Sequence, residues 1–293
     1  NNIGMVYHKL GDRQQALSYY ERALPIREEL GDRSGLATTL TNIGVVYNNL
    51  GDRQQALSHY ERALAIMEEV GDRSGLAKTL NNIGLVYHNL GDRQQALSYY
   101  ERALPIKEEV GDRSGLAVTL TNIGGIYHNL GERQQALSYY ERALPIMEEV
   151  GDRSELAVTL NNIGGVYDNL GDRQQALSYY ERALAIMEEV GDRSGLAKTL
   201  NNIGLVYHNL GDRQQALSYF ERALPIREEV GDRSGESVTR YNMAMVCRAE
   251  RRYGDAVLQL RRVVELDRLV QHPYLESHLA MLAQVEAALR GEP

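Results

Sequence analysis

The chain has 293 residues, 43% hydrophobic and 25% charged, enough apolar material for a sizeable core. Forty acidic against 32 basic side chains give a net charge of −8, which argues against nucleic acid or anionic lipid as a partner. Cys247 is the single cysteine, so no internal disulfide forms and a reducing, cytoplasmic setting fits; no apolar run nears bilayer-spanning length, and no signal peptide is visible.

From the first residue the chain repeats. "NNIGMVYHKL" at Asn1 returns as "TNIGVVYNNL" at Thr41 and "NNIGLVYHNL" at Asn81, a period of 40 that runs for six copies before a diverged seventh at Tyr241. The block 63–106 matches 183–226 except that Tyr100 becomes Phe220, as a duplicated three-repeat unit would. The start at Asn1, without Met and partway into a pattern whose other copies are longer, reads as a piece of a larger protein.

Each period carries two helical patterns. Leu76, Ala77, Leu80, Ile83, Gly84, Tyr87 and Leu90 recur at spacings of three and four, and so do Ala96, Leu97, Tyr100, Ala103, Leu104 and Val110. They predict two amphipathic helices of about four turns, A and B. Between them stands Gly-Asp-Arg, or once Gly-Glu-Arg, 12 times at 20-residue intervals from Gly11 to Gly231. Glycine suits the left-handed position that ends a helix, and aspartate the N-cap that starts the next. Asp92 to Gln95 and Asp152 to Glu155 have the spacing of a capping box. The arginine has no assignable chemistry beyond pairing with acids such as Glu28 and Glu29. Turns this short make neighbouring helices antiparallel. Pro25, Pro105, Pro145 and Pro225 stand in helix B where two copies have Ala65 and Ala185, predicting a kink or a weakened last turn.

Residues 1–270 thus form seven tandem repeats, the first truncated at its N-terminus. Residues 271–293 form a capping helix with Leu275, Leu279, Leu282 and Leu289 on one side and Glu276, His278, Gln284 and Glu286 elsewhere. The N-terminal edge has no such cap and offers a surface for self-association.

With Gly84 at a close crossing, Tyr87, Gly91 in the turn, then Ala96, Tyr100 and Ala103, the unit resembles the tetratricopeptide repeat (TPR). It departs from that family's pattern in carrying Leu80 where Trp is frequent, and in its period of 40. The longer period resembles the subgroup of Pins-type adaptors and the TPR arms of bacterial signalling ATPases. HEAT and armadillo arrays share the period but lack this Gly-Tyr-Gly-Ala-Tyr-Ala series. The resemblance implies an all-α fold, a right-handed α-solenoid (superhelix) of antiparallel helix hairpins with helix A lining the concave side.

No nucleophile elbow, dinucleotide loop, Walker loop or His-Glu-x-x-His motif occurs, so neither enzyme activity nor a cofactor is assigned. His8, His88, His128 and His208 share one helix A position with Asn48 and Asp168. Packed helices lie about 8–10 Å apart while zinc holds nitrogen at about 2 Å, so these read as polar groove residues and no metal site is assigned.

Helix A varies mainly at four positions, those of Lys78, Asn81, Leu85 and His88, whose offsets of 0, 3, 7 and 10 mark a single face. Beside it runs an invariant asparagine, Asn2 to Asn242, whose amide suits an extended peptide backbone or an inter-repeat ladder equally. In the resembling family this asparagine contacts bound peptide and a lysine one turn earlier holds a carboxylate; Lys78 with Asn82 and Lys198 with Asn202 match. Gly125 and Gly165 follow the shared glycine where other copies have larger residues, predicting a shallow central pocket.

The function expected is a protein–protein interaction scaffold that holds a protein or peptide segment in the helix A groove. The contact candidates are Lys78, Asn82, His88, Asn122, Gly125, His128, Asn162, Gly165, Asp168, Lys198, Asn202 and His208. Two alternatives stay open: the ligand-sensing arm of a larger signalling ATPase or caspase-like protease, and a self-assembling array.

Overall fold

A computed structural model describes residues 1–291, which form fifteen helices and no strand. Two compact units divide the chain, one ending at Val150 and one beginning at Gly151. The first holds α1 (Asn2–Lys9), α2 (Arg13–Glu29), α3 (Arg33–Leu50), α4 (Arg53–Val70), α5 (Arg73–Leu90), α6 (Arg93–Glu109), α7 (Arg113–Leu130) and α8 (Arg133–Val150). The second holds α9 (Arg153–Leu170), α10 (Arg173–Val190), α11 (Arg193–Leu210), α12 (Arg213–Val230), α13 (Arg233–Ala249), α14 (Tyr253–Val270) and α15 (Leu275–Arg290). Odd-numbered helices up to α13 are helix A, even-numbered ones are helix B, and α15 follows as the terminal helix. Most are 17 or 18 residues, longer than the four turns expected from the apolar spacing.

Inside each unit, successive helices up to α14 are separated by two or three residues. Gly91 adopts φ 82°, its N–H donates to the His88 carbonyl at 3.0 Å, and the Asp92 N–H donates to the Tyr87 carbonyl at 3.0 Å. These are the two bonds of a Schellman stop. The Asp92 carboxylate then accepts from the Gln95 N–H at 3.1 Å and so caps the following helix. The capping box expected at Asp92 and Gln95 is therefore only half formed. Its return bond would need the Asp92 N–H, which the preceding helix has already taken.

Within a hairpin, helix A meets helix B at the invariant glycine. A Cβ on Gly84 would sit 2.7 Å from the Tyr100 ring, and one on Gly124 would sit 2.8 Å from the Tyr140 ring, so the tyrosine face occupies the space a side chain would need. Tyr87 stacks on Tyr99 with ring centroids 5.5 Å apart, and Arg102 covers the outer face of Tyr99 at 5.3 Å. In the first unit Leu36, Leu40, Tyr60, Leu76, Leu80, Ile83 and Ile106 belong to one buried cluster that passes from hairpin to hairpin. A hairpin alone leaves half of this apolar surface open, so each one depends on its neighbour.

The arginines divide into two sets, which the sequence does not distinguish. Those opening helix A reach the last turn of the same hairpin's helix B: Arg73 to Glu109 and Arg113 to Glu149 at 2.6 Å, Arg153 to Glu189 and Arg193 to Glu229 at 2.5 Å, and Arg33 to Glu69. Arg13 belongs to the other set, which opens helix B; the acid that is paired lies 36 residues on from a helix A arginine, not nearby at Glu28 or Glu29.

The helix B prolines cause no break. Pro105 and Pro145 face solvent, and their helices run on to Glu109 and Val150. An exposed carbonyl that has lost its partner can bond to water, which limits the cost.

At the C-terminus, α15 packs on α14 along a face different from the one its leucines suggest. Val285 and His278 are buried, Met281 and Leu282 pack beside them, and Leu289 is 52% exposed. On the buried side His278 also reaches the wholly buried Asp267 on α14. Of the segment 271–293 expected as the cap, residues 292 and 293 lie outside the described residues.

Two neighbouring glycines should respond oppositely to the same change. Gly124→Ala forces the Tyr140 ring to move and should cost about 1–3 kcal/mol. At Gly125 a Cβ meets only the Tyr140 hydroxyl, at 3.6 Å, so Gly125→Ala should stabilise by up to about 1 kcal/mol through helix propensity. Urea midpoints of the two variants check the sign. Asp92→Ala should cost about 1 kcal/mol and Asp92→Asn much less, since the amide oxygen still accepts; urea titration reads this too.

Candidate functional site

The helix A face is less uniform than its sequence. Lys78 and Lys198 are exposed, one turn before half-buried Asn82 and Asn202. Further along, His88, His128, Asp168 and His208 are half-buried, with Nδ1 of His88 and His208 shielded from solvent and without a hydrogen bond. Burial holds His128 below the usual imidazole pKa, with the positive charge of Arg133 adding to it. Burial also raises Asp168 above the usual carboxylate range, against the opposing pull of Arg173. A sunken stripe of this kind offers few free polar atoms to a ligand.

One variable position belongs to the interior rather than the groove. Thr41, Asn161 and Asn201 are each 5% exposed and lie where helix A of one repeat meets helix A of the next in the same unit. Asn1 Nδ2 donates to Thr39 Oγ1 at 2.8 Å, Thr41 and Thr79 share a bond of 3.1 Å, and Thr119 donates to Asn81 Oδ1 at 2.8 Å. In the second unit Thr199 donates to Asn161 at 2.9 Å and Thr239 to Asn201 at 3.2 Å. Asn and Thr exchange here because each offers an oxygen to the same buried threonine. The position was expected on the groove wall because its spacing matches that face; contact between successive helix A elements removes it.

The invariant asparagines join that ladder in places. Asn202 donates to Asn161 Oδ1 at 3.3 Å and Asn242 to Asn201 Oδ1 at 3.1 Å, while Asn82, Asn122 and Asn162 are half-buried at the same helical position. Gly125 and Gly165 are half-buried, and a Cβ at Gly125 would meet only the Tyr140 hydroxyl, at 3.6 Å.

Around Lys198 lies a cleft of about 370 Å³ formed by the first turns of α11 and α13, with Ser194, Gly195, Arg227, Asp232 and Val238. Arg227 is buried and pairs with the N-cap Asp232 at 2.5 Å. Its counterpart Lys107 faces Asp112 at 3.5 Å; burial lowers the pKa of this lysine, Asp112 opposes that, and nearby Lys78 adds to the lowering. The sequence flags the position of Arg27, Lys107 and Arg227 only as variable. The structure makes it the floor beneath the candidate lysines. A second cleft, of about 500 Å³, opens at the Gly-Asp turns between Leu97 and Tyr127, but it contains none of the candidate residues.

Sequence reasoning also missed a cluster at the array's end. Asp267, His272 and His278 bring one donor atom each to within 4.8 Å of one another. Asp267 follows Arg227 by one period of 40, and His272 follows Asp232 likewise, so the cation–aspartate pair of earlier junctions is replaced by an acid and an imidazole. That register is the signal that could have revealed it.

No helix of the described residues is long and apolar enough to cross a membrane. Comparison with curated protein sequences gives no match. Among solved structures, BtubC (BKLC) from P. vanneervenii is 26% identical, with a TM-score of 0.66 over 75% of this chain and 92% of that one. A Signal Transduction ATPase with Numerous Domains (STAND) protein with a tetratricopeptide repeat sensor, from Pyrococcus horikoshii, is 16% identical; its TM-score is 0.79 over 99% of this chain and 43% of that one. Aspartyl phosphate phosphatase F from Bacillus subtilis is 18% identical, with a TM-score of 0.65 over 90% of this chain and 74% of that one. The family model for the tetratricopeptide repeat matches residues 1–69, 35–109, 115–189 and 195–268, and the chain belongs to that family.

Proposed function

We propose that this repeat scaffold, of a kind typical of protein–protein interaction, binds an acidic protein segment or a free carboxylate along the helix A side of its repeats. The observation that carries the reading is the Lys198 cleft. There an exposed lysine stands over a buried arginine, and the first turns of two helices line the walls. The positive ends of the two helix dipoles lie at these turns, although the Gly195 and Gly235 N–H groups are taken by their own N-cap aspartates, so the exposed Lys198 supplies the free positive charge that favours a carboxylate. Lys78 above Lys107 repeats the lysine-over-cation arrangement 120 residues earlier.

A second reading is supported by the likeness over 99% of this chain to the STAND protein with its tetratricopeptide repeat sensor. On that reading the same face receives a signal on behalf of a larger protein. Both readings require binding at the helix A lysines.

The test is fluorescence polarisation with a pool of labelled acidic peptides that end in a free carboxylate. Lys198→Glu should weaken binding at least tenfold, and so should amidation of the peptide C-termini, whereas Arg62→Glu on an exposed helix B position should leave it unchanged. Equal binding by Lys198→Glu and the parent chain would remove this assignment.

A further inference from the structure

Asp267, in the last turn of α14, has no exposed surface, yet its carboxylate is oriented with care. Ser237 Oγ on α13 donates to Oδ1 at 2.5 Å, His278 Nδ1 on α15 lies 2.6 Å from Oδ2, and His272 Nδ1 in the connector lies 3.9 Å from Oδ1. A carboxylate taken fully out of water requires compensation, and here two imidazoles converge to supply it. We propose that Asp267, His272 and His278 form a binding site for a divalent transition metal, zinc by preference, which fastens α15 to the final repeat.

The donor set is one carboxylate and two imidazoles, nitrogen and oxygen ligands of the kind zinc takes, with a fourth position left for water. The Tyr274 N–H donates to His272 Nδ1 at 3.3 Å, so that nitrogen carries a lone pair and not a proton, and a metal bound there replaces this hydrogen bond. His272 is half-buried, which leaves an approach from solvent. Ligands held tetrahedrally at about 2.0–2.2 Å from zinc lie roughly 3.3 Å apart. The Asp267–His278 contact therefore opens by less than about 1 Å, and the Asp267–His272 contact closes by a similar amount. The movement falls in the four-residue connector between α14 and α15, which carries no helical hydrogen-bond ladder of its own. On binding, metal takes the place of the proton on the His278 Nδ1 side; the metal-bound ring is neutral with its one proton on Nε2, and any second proton leaves to solvent. Ser237 does not touch the metal in this arrangement. It positions the carboxylate, as outer-shell partners of ligating groups do.

The site is independent of the helix A lysines. The experiment uses the full chain, freed of metal with a chelator, and measures thermal unfolding against added Zn²⁺ and visible absorption against added Co²⁺. The apparent melting temperature should rise and level off at one equivalent of zinc, and cobalt should give the strong d–d bands of a tetrahedral site. His272→Gln should remove both responses, and because the side chain is half-buried the variant should fold. Ser237→Ala should weaken zinc binding about 10- to 100-fold while leaving the stoichiometry at one. Absence of a zinc-dependent shift in the parent chain overturns the proposal, and so does a shift that persists in His272→Gln.

Discussion

At the Gly-Asp junctions inside each unit, two consecutive N–H groups close one helix while the same aspartate's carboxylate opens the next, and only two or three residues stand between the helices. Glycine pays no steric penalty for the left-handed backbone this needs. With the connection held to two or three residues, the following helix must turn back against the one before it. The Gly84–Tyr100 contact, the Tyr87–Tyr99 stack and the Arg73–Glu109 bridge all require that antiparallel approach.

The two kinds of junction then serve different ends. Turns from helix A to helix B keep a Gly-Asp or Gly-Glu pair through six repeats, and the seventh turns instead through Arg251 at φ 59°. Turns from helix B to the next helix A absorb variation. Met67 and Met187 place a thioether beside Thr79 and Thr199, at 3.5 and 3.2 Å, where Lys107 and Arg227 place a charge beside an N-cap aspartate. Methionine fills the site with a soft, weak acceptor, and the cations fill it with a paired charge. The electrostatic character of the helix A side is therefore set partly from beneath, by residues that belong to helix B.

Much of the fold was legible because the repeat states its rules many times. Apolar spacing located the helices, and the Gly-Asp pairs located their ends. The binding face was legible only in outline. Lys78 and Lys198 are exposed as their positions suggested, but His88 and His208 are sunk into the surface, and the Asn81 position lies between repeats. Helical periodicity gives the direction in which a side chain leaves its own helix; it does not say whether another helix stands in that direction. The terminal helix shows the same limit: Leu282 packs inward as its spacing suggested, but Leu289 is exposed while His278, expected on another side, is buried against α14.

Taken alone, the sequence determined the helix pairs, their short connections and the 40-residue register, since each follows from local backbone geometry and apolar spacing. Only tertiary structure decided which arginines pair, which asparagines are rungs, and where a buried cation or carboxylate lies beneath the surface. These depend on atoms about 36 to 41 residues apart in the chain being brought within hydrogen-bonding distance, and that distance is set by how one hairpin packs on the next.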